Sequence, residues 1–289
     1  MELLKRFFLY FRDDEGYLVQ YNDMMGKGFT DIRHLIWIII TILLVVLFIK
    51  LSKKYKDQVV RFFRVVLVFM FIQRLAHQIV RAVIMVESPF WRALTPAHLC
   101  TMMIYLLPIV VIFNIEKIKK PVYFFSVLGG VITILDGDYF SSIFMPFGTI
   151  EGMFAHTVLV VSSITLMYIE KEHFNLNDVK KIYIMMAIMT LWSTSLNMLL
   201  LYLNPVYDPN YLYLVKNMLP VEMGKYFIFI YLLVFTIIVS LTYLFNNLRN
   251  KEKIKKEISE NKYKILTSGV LVIVYVYLLC ILNHLFVVK

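Results

Sequence analysis

A chain of 289 residues that is 60% hydrophobic and 16% aromatic, with a mean hydropathy of +0.72, is too apolar for an ordinary soluble domain and reads as a polytopic membrane protein. Its net charge of +10 comes largely from lysines clustered between apolar runs, a pattern that sets topology and touches anionic headgroups, so nucleic acid is not an expected partner. The two cysteines, Cys100 and Cys280, both fall on predicted helices, which excludes a multi-bridge disulfide framework and a four-cysteine zinc site and leaves room for at most one bridge.

In chain order, Met1 to Tyr17 mixes Leu3, Phe7, Phe8 and Tyr10 with Lys5, Arg6 and Arg12, the pattern of an interfacial helix that Asp13-Asp14-Glu15-Gly16 ends. The first long apolar run starts near Ile32 without a small-residue cleavage site after it, so it reads as an uncleaved span. A helix crosses the hydrocarbon core with about 20 apolar residues. Eight stretches approach that length: Ile32 to Leu51, Val59 to Met85, Thr95 to Ile115, Pro121 to Leu135, Gly152 to Ile169, Ile182 to Leu203, Tyr226 to Phe245 and Ile265 to Val288. The fourth is short and carries Gly129-Gly130. The architecture is therefore an all-α transmembrane helical bundle, with a leader over residues 1–31, a core of seven spans over 32–247, and a basic loop with an eighth span over 248–289.

Lysine and arginine concentrate in the odd-numbered loops: Lys50, Lys53, Lys54, Lys56 and Arg61 in the first, Lys117, Lys119 and Lys120 in the third, Lys171, Lys180 and Lys181 in the fifth, and the Arg249 to Lys264 run in the seventh. The positive-inside rule makes those loops cytoplasmic and puts both termini outside. Lysine- and isoleucine-rich composition without a targeting presequence suits a bacterial plasma membrane.

This topology gathers polar residues at the outer ends of helices. His98 and Cys100 open the third span, Glu151 and His156 lie at the mouth of the fifth, and Asp136 and Asp138 close the fourth. With the third span starting at Thr95 and the fifth at Gly152, Cys100 and His156 lie at similar depths, about 6 to 8 Å inside. In the second span Arg74, His77, Gln78 and Arg81 recur at i, i+3, i+4 and i+7, one helical face. Ionisable groups at that depth face the bundle interior or an aqueous vestibule. The stripe reads either as a structural ion-pair network, with Asp136 or Asp138 as partner, or as a cationic clamp for a lipid phosphate or other anion.

Cysteine and histidine on neighbouring helices suit nucleophilic chemistry, a thiolate attacking an ester carbonyl with an imidazole as base. His156 is the preferred base, since His98, two residues from Cys100, faces another side of the helix. The bland reading of a single membrane cysteine is packing. No HExxH or paired-cysteine spacing is present, so no metal is assigned; phosphate-loop and kinase signatures are absent too, so no cofactor is expected. Trp192, Ser193, Ser195 and Asn197 form a polar patch in the sixth span that reads as interhelical hydrogen bonding. Asn204-Pro205 and Asp208-Pro209 mark turns before Asn210 and Tyr211, which return to the bilayer surface. His34, His173 and His284 carry no partner pattern.

Pro96-Ala97-His98-Leu99-Cys100, then Met153-Phe154-Ala155-His156-Thr157, then Asn210-Tyr211-Leu212-Tyr213-Leu214 followed by Gly224 and Tyr226, stand in an order and spacing that resembles the YwaF-like family of bacterial integral membrane proteins. The resemblance covers about Leu35 to Phe245. That family in turn resembles the eukaryotic transmembrane acyltransferase of ether-phospholipid synthesis, in which a membrane cysteine and histidine are implicated. The resemblance implies a nucleophile at Cys100, its partner at His156, and His98 as a further polar member. The chain departs from the pattern at Thr95-Pro96-Ala97, where a leucine-flanked proline is usual, and at Tyr207-Asp208-Pro209, where a glycine commonly precedes the Asn-Tyr pair. The expected function is a thiol-dependent lipid acyltransferase or hydrolase working from the outer leaflet on membrane lipids, with Arg74, His77, Arg81, Asp136, Asn210 and Tyr211 binding substrate. The alternative is a non-catalytic protein that binds or transports a lipid or small anion.

Overall fold

The computed structural model describes residues 11–12, 18–19, 31–84, 95–136, 147–171, 174–203, 227–247, 259–260, 270, 274–275 and 278. Among them are seven helices: α1 (Ile32–Lys54), α2 (Lys56–Ile84), α3 (Leu99–Ile112), α4 (Glu116–Asp136), α5 (Phe147–Glu170), α6 (Leu176–Leu203) and α7 (Phe227–Asn247). Two-residue strands β1 (Phe11–Arg12) and β2 (Leu18–Val19) pair antiparallel, Phe11 opposite Val19 and Arg12 opposite Leu18. At those four positions the leader is extended; the rest of the interfacial helix expected over Met1 to Tyr17 lies outside the described residues.

Four helices, α1, α4, α5 and α6, are long and apolar enough to cross a membrane, so the protein is a multi-pass helical membrane protein. The eight crossings expected from hydropathy are thus met by four among the described residues. Helix α2 has 29 residues but carries Arg61, Arg64 and Arg74 along its length, and α3 has 14 residues. Helix α7 is apolar from Phe227 to Phe245 in sequence, and nearly all of the expected span from Ile265 to Val288 lies outside the described residues.

The chain groups into two compact units, residues 1–96 with 100–171 and residues 97–99 with 172–289. In the first, Asp31 caps α1 by accepting from the Arg33 N–H at 2.8 Å, while its carboxylate also holds the Arg33 guanidinium at 2.7 Å. Lys53 and Lys54 occupy the last turn, where cations meet the negative end of the helix dipole. Helix α1 is apolar nearly all round; Leu35, Ile39 and Leu43 are exposed, as lipid-facing residues must be.

Its buried face carries the polar and aromatic groups. His34 Nε2 lies 2.6 Å from the Ile134 carbonyl near the end of α4, and Trp37 Nε1 donates to Thr157 Oγ1 of α5 at 2.8 Å. Trp37 also packs with Ile134 and Val160 in a buried cluster. His34, without a visible partner in the sequence, is therefore a helix-joining residue.

Helix α5 packs against α1, α2 and α4. Its approach to α4 is set by Gly130, where an added Cβ would lie 2.6 Å from Val160 Cγ2 and 3.0 Å from the His156 carbonyl oxygen. Gly129-Gly130, which weakens the hydropathy signal of this span, is thus a close-packing site of the small-residue kind that membrane helices use.

Between α3 and α4, Asn114 adopts a left-handed conformation at φ 50°, and the Ile115 N–H bonds back to the Val110 carbonyl at 3.0 Å, a Schellman-type stop. Asn114 Oδ1 then accepts from Lys119 Nζ at 2.9 Å. Lys119, counted in sequence as a loop charge, is in fact buried: its ammonium also meets Glu116 at 2.6 Å and Glu170 at 3.5 Å. Tyr123 OH lies 3.4 Å from Glu170.

In the second unit, α6 opens with a reciprocal capping box: Asn175 N–H donates to Asp178 Oδ2 at 3.1 Å and Asp178 N–H to Asn175 Oδ1 at 2.9 Å. Tyr183 of α6 meets Phe235 of α7 edge-on at 5.6 Å. In the expected interhelical patch, buried Ser193 donates to the Ala97 carbonyl at 2.8 Å, whereas exposed Ser195 bonds back along its own helix to Leu191. Ser193 ties α6 to the segment ahead of α3 rather than to another helix.

Candidate functional site

The centre of the polar stripe on α2 is answered by an acid from α5. Arg74 Nη1 donates to Glu151 Oε2 at 2.8 Å, and His77 Nδ1 lies 3.3 Å from the same oxygen. Arg74 and His77, three residues apart on one helical face, converge on Glu151 one turn into α5. Glu151 is 2% exposed and Arg74 16%, so a carboxylate and a guanidinium are withdrawn together from both water and lipid. The pairing satisfies each charge, and the charge-assisted bond stiffens the α2 and α5 contact. Phe147, one turn before Glu151, closes on the His77 ring edge-on at 5.5 Å.

Among the described residues, Glu151 is the acid paired with Arg74. The side chain of Asp136, all of Asp138 and the side chain of Arg81 lie outside the described residues, as do Asn210 and Tyr211. Gln78, next on the stripe, is buried.

Helix α3 begins at Leu99, not at Thr95. Cys100 is thus its second residue, a half-buried free thiol in the first turn. His98 stands one residue ahead of the helix, half-buried and grouped with the second unit. Helix α5 begins at Phe147, so His156 sits about 13 Å of helical rise beyond its start. The two residues therefore lie at different distances from the first residues of their helices.

Cys100 and Tyr105 of α3 and His156 of α5 belong to the same compact unit as the Arg74–Glu151 ion pair, and the Tyr105 ring packs on Phe71, three residues before Arg74 on α2. A thiol, an imidazole and a fixed cation are the ingredients of nucleophilic acyl chemistry. Among the described residues, no group of three or more histidine, cysteine, aspartate and glutamate residues is arranged to hold a metal ion.

Sequence reasoning did not select Glu151 as a binding residue, nor Tyr105 at all. Glu151 was visible as an acid inside an apolar run, which in a membrane helix requires a partner. Tyr105 gave no such signal, because a tyrosine among leucines and methionines reads as packing.

No curated protein and no solved structure matches the chain. A family model matches residues 29–245, well over half of the chain, across all of the helices just described, and the chain belongs to the TMEM164 family.

Proposed function

We propose that this protein is a cysteine-dependent acyltransferase or hydrolase of membrane lipids, acting from the outer leaflet of a bacterial plasma membrane with both termini outside. The observation that carries the reading is that Cys100, in the first turn of α3, and the buried His156 of α5 belong to one compact unit with the Arg74–Glu151 pair. The YwaF-like resemblance of the motifs around these two residues supports it, as does the link of that family to acyl transfer.

In the proposed reaction His156 takes the Cys100 thiol proton, and the sulfur adds to an ester carbonyl of a phospholipid. The carbon–oxygen ester bond breaks, and the lysolipid leaves as an alcohol carrying the proton returned by the imidazolium. An acceptor hydroxyl, from a second lysolipid or from water, attacks the thioester and restores the thiol. Cys100 lies in the first turn of α3, where helix N–H groups without intrahelical partners face negative charge that develops nearby. Glu151 neutralises Arg74, which fits a positioning role for this arginine better than the free anion clamp of the non-catalytic alternative.

The test is incubation of purified full-length protein with phosphatidylcholine vesicles. A hydroxylamine-sensitive acyl adduct on the Cys100 peptide, absent in Cys100→Ala and strongly reduced in His156→Ala, is the expected result. Normal lipid acyl exchange by Cys100→Ala protein would sink the reading.

A further inference from the structure

Tyr105 is a polar group that the reaction above does not use. It stands five residues after Cys100 on α3, and its ring meets Phe71 of α2 edge-on, with centroids 5.5 Å apart and planes at 90°. Phe71 precedes Arg74 by three residues, so the same face of α2 holds the tyrosine ring and the guanidinium. The Tyr105 hydroxyl is buried and has no hydrogen-bond partner among the described residues. Buried phenols ordinarily find a partner, because an unbonded O–H withdrawn from water is unfavourable. The ring is fixed by packing while the hydroxyl is left unanswered, beside a charged pair. That is the signature of a donor awaiting an atom from another molecule. Side chains on a helix lean toward its N-terminus. Five residues separate the two Cα positions by roughly 7.5 Å of rise and about 140° around the axis of α3, and the lean shortens the axial part of that gap.

Resting on the acyl-transfer reading, we infer that Tyr105 is a further catalytic residue, whose hydroxyl donates to the carbonyl oxygen of the ester or thioester under attack. As the Cys100 sulfur adds to the carbonyl carbon, the carbonyl π pair moves onto oxygen, and the Tyr105 O–H bonds to that oxygen without transferring its proton. When the tetrahedral adduct collapses, the pair returns, the ester bond to the lysolipid oxygen breaks, and the departing oxygen takes the proton held by His156. Protons balance, and the tyrosine ends as it began.

Tyr105→Phe keeps the ring against Phe71 and removes only the hydroxyl. In full-length protein reconstituted into phosphatidylcholine nanodiscs, two rates are measured at the Cys100 peptide by mass spectrometry. One is acylation from the lipid; the other is alkylation by iodoacetamide, a displacement that forms no tetrahedral oxyanion. The inference expects acylation slowed about a hundredfold, the usual effect of losing one oxyanion donor, with alkylation and melting temperature at their wild-type values. Equal slowing of both reactions shows that Tyr105 acts on the thiol or on access to it, and overturns the inference. Acylation at the wild-type rate also overturns it, leaving the hydroxyl as the holder of a water, while the transfer reading stands. Wild-type protein that never acylates removes that reading and the role of Tyr105 with it.

Discussion

Glu151 is the residue on which the buried charges depend. Removing it leaves Arg74 without its carboxylate, and removing Arg74 leaves a carboxylate that is 2% exposed without its cation. Each single change, Glu151→Ala or Arg74→Ala, is expected to destabilise the protein by about 3 kcal/mol, since a buried charge loses the partner of its shortest ion pair. The double variant should cost clearly less than the sum, because it removes both charges at once. Denaturant melts of the four proteins in one detergent check this, and strict additivity would show that the two groups do not act as a pair. The α2 side of this pair was legible in sequence, where Arg74 and His77 repeat at helical spacing in an apolar run. Its partner was not, because which acid meets the stripe depends on how α2 and α5 pack, and Glu151, Asp136 and Asp138 all stand near helix ends. His34 was passed over for a related reason: its partner is a backbone carbonyl, which leaves no trace in side-chain patterns.

Among the elements, α4 and α5 form the contact that supports the candidate site from behind. Gly130→Ala would push a methyl group into Val160 and the carbonyl of His156. Because that neighbour is partly backbone, the helices must move apart, at a cost of about 1 to 3 kcal/mol. Since the displaced segment carries His156, slower acylation of Cys100 is expected together with the lower melting temperature. A variant with normal stability and normal acylation would mean that the close approach has no bearing on the site. Apolar length was sufficient to find the helices, and the first begins at Ile32 as expected, but other first residues were misplaced. Thr95-Pro96 looks like the start of α3 although the helix begins at Leu99, and the fifth apolar span starts at Gly152 although α5 begins five residues earlier, at Phe147. Hydropathy marks the lipid-facing stretch of a helix, whereas the helix itself begins where local capping and packing permit. Lys119 shows the same gap between composition and packing, being a loop charge by sequence and a buried partner of Glu116 and Glu170 in the fold.

At the scale of the whole molecule, family membership and a multi-pass helical bundle stand together, and composition alone already pointed to the bundle. The proposed orientation places the connection between α1 and α2, with Lys50, Lys53, Lys54 and Lys56, on the cytoplasmic side. A Lys53→Cys probe in a background lacking Cys100 and Cys280 should resist a membrane-impermeant maleimide on intact cells and react once they are opened; labelling of intact cells would invert the topology. The central claim concerns chemistry at Cys100. Purified wild-type protein incubated with vesicles of a phosphatidylcholine carrying a labelled acyl chain is followed by mass spectrometry of the Cys100 peptide. The account predicts a mass increase equal to that acyl group, reversed by neutral hydroxylamine and strongly reduced in His156→Ala at the same time point. Lipid turnover by the wild type with an unmodified, replaceable Cys100 would contradict it.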